Sequence, residues 1–131
     1  MIVLDTHALV WWASEPRKLS TRARRAAKAG AAKRALVASA VSLFEISTLL
    51  RRGRLELRID GEQWLEALRS LPELVIEPVS TDIAWIAGGF GAGFPGDPAD
   101  RIIVATARVL RAPLVTADAA LRSSAAVDTL W

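Results

Sequence analysis

The chain has 131 residues and no cysteine, so one domain over residues 1–131 is expected, and disulfides and thiolate metal sites are excluded. Hydrophobic residues make up 52% of the sequence, which argues against a disordered tail protein. The net charge is +3, and no segment holds the roughly 18–20 consecutive apolar residues of a membrane span, so we expect a cytoplasmic protein without a membrane anchor.

The N-terminal segment predicts a short buried strand that ends in an acid. Ile2–Leu4 suits a strand with both faces covered, and Asp5 and Thr6 follow at its carboxyl end. In open parallel sheets, ligands bind beyond the carboxyl ends of the strands. Asp5 is therefore the first candidate site residue, and a helical turn over His7–Ala13 is expected after it.

The remaining sequence predicts helices that alternate with strands. This alternation indicates an α/β sandwich around a mostly parallel sheet. The predicted elements are a helix over Leu19–Ala31, a strand over Ala35–Ala38, a helix over Val41–Arg52, a helix from Asp60 to about Leu71, a strand over Leu74–Val79, a helix capped by Ser80 or Thr81, a helix over Pro98–Leu110, a strand over Leu114–Thr116, a short helix after Asp118 and an edge strand over Val127–Leu130.

Basic residues are concentrated in one part of the chain. Twelve of the 17 lie between Arg17 and Arg58, where the only acids are Glu45 and Glu56. Such a field can attract a polyanion, but two solvated helix faces explain it equally well.

Acidic residues from distant parts of the sequence are predicted to meet at one edge of the sheet. Asp5 and Asp118 follow strands directly, Glu45 lies in the opening turns of a helix, and Asp97 and Asp100 open the helix before the fourth strand. In a parallel α/β unit, strand ends and helix starts share the same edge. Helix capping explains single acids at these places as well, and Asp60, Asp82 and a capping box over Ser42–Glu45 are interpreted in that way.

Convergence of these acids would be costly without a counter-charge. Two carboxylates about 5 Å apart repel by roughly 3 kcal/mol at an effective dielectric near 20. A divalent cation relieves that repulsion, and oxygen ligands without Cys or His suit Mg²⁺ or Mn²⁺.

Four motifs occur in order along essentially the whole chain. They are Leu4–His7 followed by Trp11 and Trp12, Ser39–Ile46, Asp97–Arg101, and Leu114–Asp118. Together they resemble the PIN-domain ribonucleases, specifically the VapC-type toxins of bacterial toxin–antitoxin pairs. The chain departs from that pattern at Pro95 and Ala99, where the subgroup often has a histidine and a bulky aromatic residue.

The resemblance implies a PIN-like three-layer sandwich with a five-stranded sheet in the order 3-2-1-4-5 and helices on both faces. It also implies that Asp5, Glu45, Asp100 and Asp118 are catalytic and hold Mg²⁺ or Mn²⁺. The expected supporting residues are Asp97 as a cap or outer acid, Thr6 and Thr116 beside the metal ligands, and Arg101, which contacts either the scissile phosphate or an acid of the rim.

The activity that the resemblance implies is endoribonuclease hydrolysis of RNA by a metal-activated water, leaving a 5′-phosphate and a 3′-hydroxyl. Either Asp118 or Glu45 is the general base, and the number of metal ions stays open. A cognate VapB-like antitoxin and a homodimer are the expected protein partners. The alternative is a catalytically inactive PIN-like RNA-binding or scaffold module, which would have no need of four mutually repelling acids.

Three other features receive plainer interpretations. His7, the only histidine, is expected to make a local hydrogen bond. The glycine-rich run Gly88–Gly96 lacks the Lys-Ser/Thr of a phosphate loop and is interpreted as a flexible connector. Trp11 and Trp12 are adjacent, so one of them is expected at a surface that contacts a second copy or an antitoxin.

Overall fold

The computed structural model describes residues 1–131 and contains five strands and seven α-helices. A short 3₁₀ turn lies at Pro16–Lys18. The strands are β1 Ile2–Leu4, β2 Leu36–Ser39, β3 Leu74–Glu77, β4 Leu114–Val115 and β5 Thr129–Leu130; the helices are α1 Thr6–Ser14, α2 Thr21–Ala32, α3 Ala40–Arg51, α4 Gly61–Arg69, α5 Thr81–Gly89, α6 Pro98–Leu110 and α7 Ala119–Arg122.

The sheet confirms the predicted topology. All four strand pairings are parallel, and the strand order is β3-β2-β1-β4-β5. The central strand β1 pairs with β2 through Val3 and Val37, and with β4 through Val3 and Leu114. The strands that precede Asp5 and Asp118 are therefore neighbours, although 113 positions separate the two acids.

The core is divided by the sheet into two layers. Successive residues of a strand point to opposite faces, so Leu4 and Leu36 join the cluster beneath α1, α2 and α4. Val3 and Val37 instead pack with residues of α6 and α7, including Ile103. Strands covered on both sides explain why the strand segments of the sequence are uniformly apolar rather than alternating.

Helix α3 begins earlier than the sequence predicts. The hydroxyl of Ser39 accepts a hydrogen bond from the N–H of Val41 at 3.2 Å, so Ser39 is the N-cap and the helix starts at Ala40. Ser42 then lies inside the first turn and is fully buried. The predicted capping box over Ser42–Glu45 is therefore wrong. Asp60 does cap α4.

The tryptophans differ from expectation in their exposure. Trp11 and Trp12 are both half-buried and pack against the core, and the ring of Trp11 lies 5.8 Å from that of Trp131. The most exposed tryptophan is instead Trp85 on α5, at 84%. No helix of the structure combines the length and the apolar character needed to cross a bilayer.

A matched pair of valines tests this layering. Val37 is 2% exposed and pairs in register with Val75, which is 46% exposed on the edge strand. Val37→Ala is expected to lower the free energy of unfolding by about 2 kcal/mol, because buried methyl groups are lost and a cavity remains. Val75→Ala is expected to stay within about 0.5 kcal/mol of the unchanged protein in urea unfolding. Equal losses in the two variants would contradict the two-layer core.

Candidate active site

A cavity of about 450 Å³ opens at the carboxyl edge of the sheet, and all five acids predicted to meet there line it. The remaining lining residues are Thr6, His7, Trp11 and Ala117. Asp60 and Asp82, which sequence analysis assigned to helix starts, do not reach this cavity. The acids Asp5, Glu45, Asp97, Asp100 and Asp118 come from four separate segments of the chain.

Three of the acids are at once helix caps and lining residues. One carboxylate oxygen of Asp5 accepts from the N–H of Ala8 at 2.8 Å, and one of Asp118 accepts from the N–H of Leu121 at 3.0 Å. Asp97 accepts from the N–H groups of α6's first turn at 2.8 and 3.4 Å. Each of these acids uses one carboxylate oxygen as the helix cap and still lines the cavity. The same contacts therefore cap the helices and position the acids of the site.

Glu45 is held by a chain of hydroxyl groups. The Thr6 hydroxyl donates to the Glu45 carboxylate, and the oxygens of Thr6 and Ser42 lie 3.0 Å apart. Thr6 has one hydroxyl hydrogen, so it accepts from Ser42 while it donates to Glu45. The sequence pattern does not predict Ser42 as a site residue, because Ser42–Glu45 matches a capping box; its position one helical turn before Glu45 is the signal that points to the site.

Thr116 connects two acids on neighbouring strand ends. Its side chain is fully buried, and its oxygen accepts from the N–H of Asp118 at 3.0 Å. Its hydroxyl also lies near enough to the carboxyl group of Asp5 to lower the pKa of that group. Thr6 and Thr116 therefore lie where the sequence placed them, each against an acid of the cavity.

The electrostatics of the cavity favour protonation of its acids. Burial raises the pKa of Asp5, although hydrogen bonds from Thr116 and Ala8 oppose the rise. Burial likewise raises the pKa of Glu45, against the hydrogen bond from Thr6. Asp100 accepts no hydrogen bond within the chain. Burial, followed by the charges of Asp97, Glu45, Asp118 and Asp5, raises the pKa of Asp100 to about 7.

This donor set fits a hard divalent cation. Only carboxylate and hydroxyl oxygens surround the cavity apart from His7, and no Lys or Arg lines it to offset their charge. No group of three or more acidic or histidine side chains is already closed into a metal cage. A cation that keeps several water ligands needs direct bonds from only one or two carboxylates. A cation of that kind would offset both the burial and the neighbouring charges that raise the pKa of Asp100.

Arg101 lies outside the cavity, and the expected contact of its side chain with an acid of the rim is wrong. It makes no salt bridge, since the chain's ion pairs involve only Lys18 and Arg69. Its guanidinium donates to backbone carbonyls of the segment between α5 and α6. The reason is geometric, because Arg101 lies on the side of α6 that faces α5.

His7 also departs from expectation. It is exposed, lines the cavity and makes no hydrogen bond within the chain. Its ring lies 5.7 Å from that of Trp11 in a tilted arrangement. The structure therefore gives His7 an aromatic contact in place of the expected local hydrogen bond.

Comparison with known proteins gives one family match and one close relative. Residues 2–126 match the family model described as PIN domain. The chain is 37% identical over 122 residues to Ribonuclease VapC22 of Mycobacterium tuberculosis. These 122 residues cover 93% of this chain and 90% of that protein.

Solved structures share the fold at lower identity. VapBC2 from Rickettsia felis, bound to a DNA fragment from its promoter, gives a TM-score of 0.70 at 16% identity and covers 98% of this chain and 97% of that one. FitAcB from Neisseria gonorrhoeae gives 0.64 at 23% identity, with 98% and 96% covered. A toxin–antitoxin complex from Klebsiella pneumoniae gives 0.64 at 19% identity, with 97% and 95% covered.

The raised pKa of Asp100 predicts a pH-dependent stability. The native state keeps a proton on Asp100 up to about pH 7, whereas the unfolded chain releases it near pH 3.8, so stability falls as pH rises between these values. Asp100→Asn removes the charge and is expected to stabilise the metal-free protein by about 1–2 kcal/mol at pH 8, because solvent screens part of the interaction at this half-exposed position. At pH 4 the substitution is expected to have little effect.

Urea unfolding in EDTA at the two pH values measures this effect. Asp82→Asn, outside the cavity, is the control and is expected to show no such difference between pH 4 and pH 8. Equal stability of Asp100→Asn and the unchanged protein at pH 8 would show that the acids do not repel as described.

Proposed function

Because the chain belongs to the PIN domain family, we propose that it is an endoribonuclease and the toxin of a toxin–antitoxin pair. The observation that carries the proposal is the convergence of five acids from four segments into one cavity that no Lys or Arg lines. The relative that is similar over 93% of the chain, VapC22, is named as a ribonuclease. No observation favours the alternative of an inactive RNA-binding module, for which these costly acids would serve no purpose.

The proposed cofactor is Mg²⁺ or Mn²⁺, held by Asp5, Glu45, Asp100 and Asp118. When bound, such an ion lowers the pKa of a water and offsets charge that develops in the transition state. The all-oxygen donor set and the repulsion at Asp100 support this assignment.

The chain's own residues orient the acids for that chemistry. Thr6 and Ser42 hold Glu45, and the Thr116 hydroxyl accepts from the N–H of Asp118 and so fixes the start of the segment that carries this acid. Glu45 and Asp118 stay the two candidates for the group that takes a proton from the attacking water. Attack of the water in line with the P–O3′ bond breaks that bond and leaves a 5′-phosphate and a 3′-hydroxyl, and the ribose 2′-hydroxyl takes no part.

The proposed substrate and partner follow from charge and from the relatives. Most basic residues have no ion-pair partner, so the basic surface that includes Arg22, Arg24 and Arg25 on α2 is available to attract RNA. The structural neighbours include toxin–antitoxin assemblies, which supports a cognate VapB-like antitoxin. We also propose a cytoplasmic location, because a chain without cysteine forms no disulfides and disulfides are rare in that compartment.

RNA cleavage with defined metals tests the proposed activity. Structured RNAs are incubated with Mg²⁺, with Mn²⁺ or with EDTA, and the products are mapped. Asp5→Asn and Asp100→Asn are each expected to reduce cleavage by about 100-fold or more, because each removes a metal ligand. The matched control Asp82→Asn is expected to keep full activity. Undiminished cleavage in EDTA would exclude the metal-dependent mechanism.

We further propose that α5 forms the contact of a homodimer. Trp85 is 84% exposed, and beside it a cavity of about 340 Å³ between α5 and α6 is lined by Ala84, Gly88 and Ile102 among others. A protruding indole and an apolar cleft on one surface are complementary to a second copy under two-fold symmetry. One tryptophan buries about 150–250 Å² of the roughly 800 Å² per partner of a standard interface. Adjacent surface must supply the rest.

Sedimentation equilibrium tests this surface. Trp85→Ala removes the protruding ring and Gly88→Leu fills the cleft, so each is expected to raise the dimer dissociation constant at least 10-fold. A Cβ at Gly88 meets no atom within 4 Å, so the fold of the monomer tolerates the change. Phe44→Ala, at a residue 71% exposed on α3, is the matched control. A monomeric unchanged protein, or dissociation by Phe44→Ala alone, would reject α5 as the contact.

A further inference from the structure

The segment between α5 and α6 is held in place by Arg101. Its Nε donates to the carbonyl of Pro95 at 2.9 Å, Nη1 to those of Phe90 at 2.8 Å and Ala87 at 3.3 Å, and Nη2 to that of Gly91 at 3.3 Å. Phe90, the C-cap of α5, makes no backbone bond to its helix, whereas the C-caps of the other six α-helices do. Arg101 therefore replaces the missing cap.

The aromatic residues of the segment strengthen this attachment. The rings of Phe90 and Phe94 stack at 4.5 Å, and the guanidinium carbon of Arg101 lies 5.6 Å from the centre of the Phe94 ring. Arg108 lies over the ring of Phe90 at 5.7 Å. The glycine-rich run is thus an ordered surface at its Phe90–Gly96 part, and the structure gives it a fixed position where the sequence predicted a flexible connector.

Fixing the carbonyls also fixes the direction of the N–H groups that follow them. In a trans peptide the N–H points opposite to the C=O, and the chain has no cis peptide. Since the bound carbonyls face Arg101, the N–H groups of Gly91, Ala92 and Gly96 face away from it. These residues are exposed, and none of the three N–H groups donates a hydrogen bond within the chain.

The fold does not require glycine in this segment. A Cβ built at Gly91, Gly93 or Gly96 meets no atom within 4 Å, and none of these residues has φ in the left-handed region. Glycine costs more conformational entropy on folding than other residues, so its presence needs another reason. Absent side chains let another molecule approach the exposed peptide groups closely.

The charge around the segment favours an anion. No acid occurs between Ile83 and Gly96. The Arg101 guanidinium lies on the carbonyl side of these peptide groups, opposite the outward N–H groups. Asp97, which follows Gly96, lines the cavity of acids, so the segment borders the place where RNA would be cut. Backbone N–H groups are among the donors that proteins present to the phosphate oxygens of nucleic acids.

We propose that residues 91–96, held by Arg101, bind a phosphate of the RNA backbone next to the phosphate that is cut. This inference rests on the proposed ribonuclease function and adds a substrate-binding surface outside the cavity of acids. Arg101 acts here as a positioning residue, because its effect on RNA passes through the peptide groups that it orients.

Amide chemical shifts test the contact directly and need no cleavage. The Asp100→Asn protein, labelled with ¹⁵N, is titrated with a single-stranded RNA of 12 nucleotides in EDTA. The amides of Gly91, Ala92 and Gly96 are expected to shift strongly, while the amide of Gly53 stays in place. Saturable RNA binding that leaves the three amides unmoved would overturn the inference, and so would the absence of RNA binding.

Substitutions measure what the segment contributes. Gly91→Leu and Gly96→Leu are expected to raise the RNA dissociation constant at least 10-fold at unchanged melting temperature, because each side chain blocks approach to the peptide N–H groups. Gly89→Leu makes the same change in open space at the end of α5 and is the control, expected within 2-fold. Equal affinities in the three variants would overturn the inference.

Arg101→Lys separates charge from position. Lys keeps the positive charge but lacks the planar fork that reaches several carbonyls, so RNA affinity is expected to fall as in Gly96→Leu, and hydrogen exchange of amides 91–96 is expected to rise at least 10-fold. Full affinity in Arg101→Lys would show that charge alone suffices and would reject the positioning role. Amide shifts without any metal-dependent cleavage would reject the ribonuclease proposal and leave this surface standing.

Discussion

Mutual repulsion among carboxylates at one edge of the sheet is the constraint on which the rest of the structure depends. Five acids line a single cavity, and no Lys or Arg enters it. Burial and the neighbouring charges raise the pKa of Asp100 to about 7, so the metal-free site is strained at neutral pH. The parallel sheet maintains this arrangement, because neighbouring strands deliver Asp5 and Asp118 to the same edge whether or not their charges are compensated.

Helix capping offsets part of the free-energy cost of this concentration of negative charge. Asp5, Asp97 and Asp118 each satisfy N–H groups at the start of a helix, where the helix dipole favours a negative charge. Asp100 has no such compensation, which explains why its pKa stands out. The buried hydroxyl groups of Thr6 and Ser42 then fix Glu45. The contacts that stabilise the helix starts therefore also form the site. The charge of Asp100 is the one that no contact within the chain compensates, and it is left for a cation.

The sequence was sufficient for the sheet order and for the set of acids, because both depend on where elements begin and end. The apolar triplet before Asp5 and the Asp97-Pro98 helix start place their acids within a residue or two. The sequence was not sufficient to predict the direction in which each side chain points. The pattern Ser42–Glu45 predicts a cap, but the sequence does not show that the helix already begins after Ser39, which is the observed cap. Arg101 follows Asp100 directly, yet neighbours on a helix face different partners, and the Arg101 side chain contacts the segment after α5 instead of the cavity. The order in the glycine-rich segment depends on that one side chain.

Proton release on metal binding measures the central claim most directly. Calorimetric titration of the protein with Mn²⁺ at pH 7, repeated in buffers of different ionisation enthalpy, counts the protons displaced. A pKa near 7 at Asp100 means that about half a proton leaves for each ion bound, with a smaller number at pH 8.5. Mn²⁺ binding that releases no proton at pH 7, or no binding at all, would show that these acids do not share one uncompensated cavity.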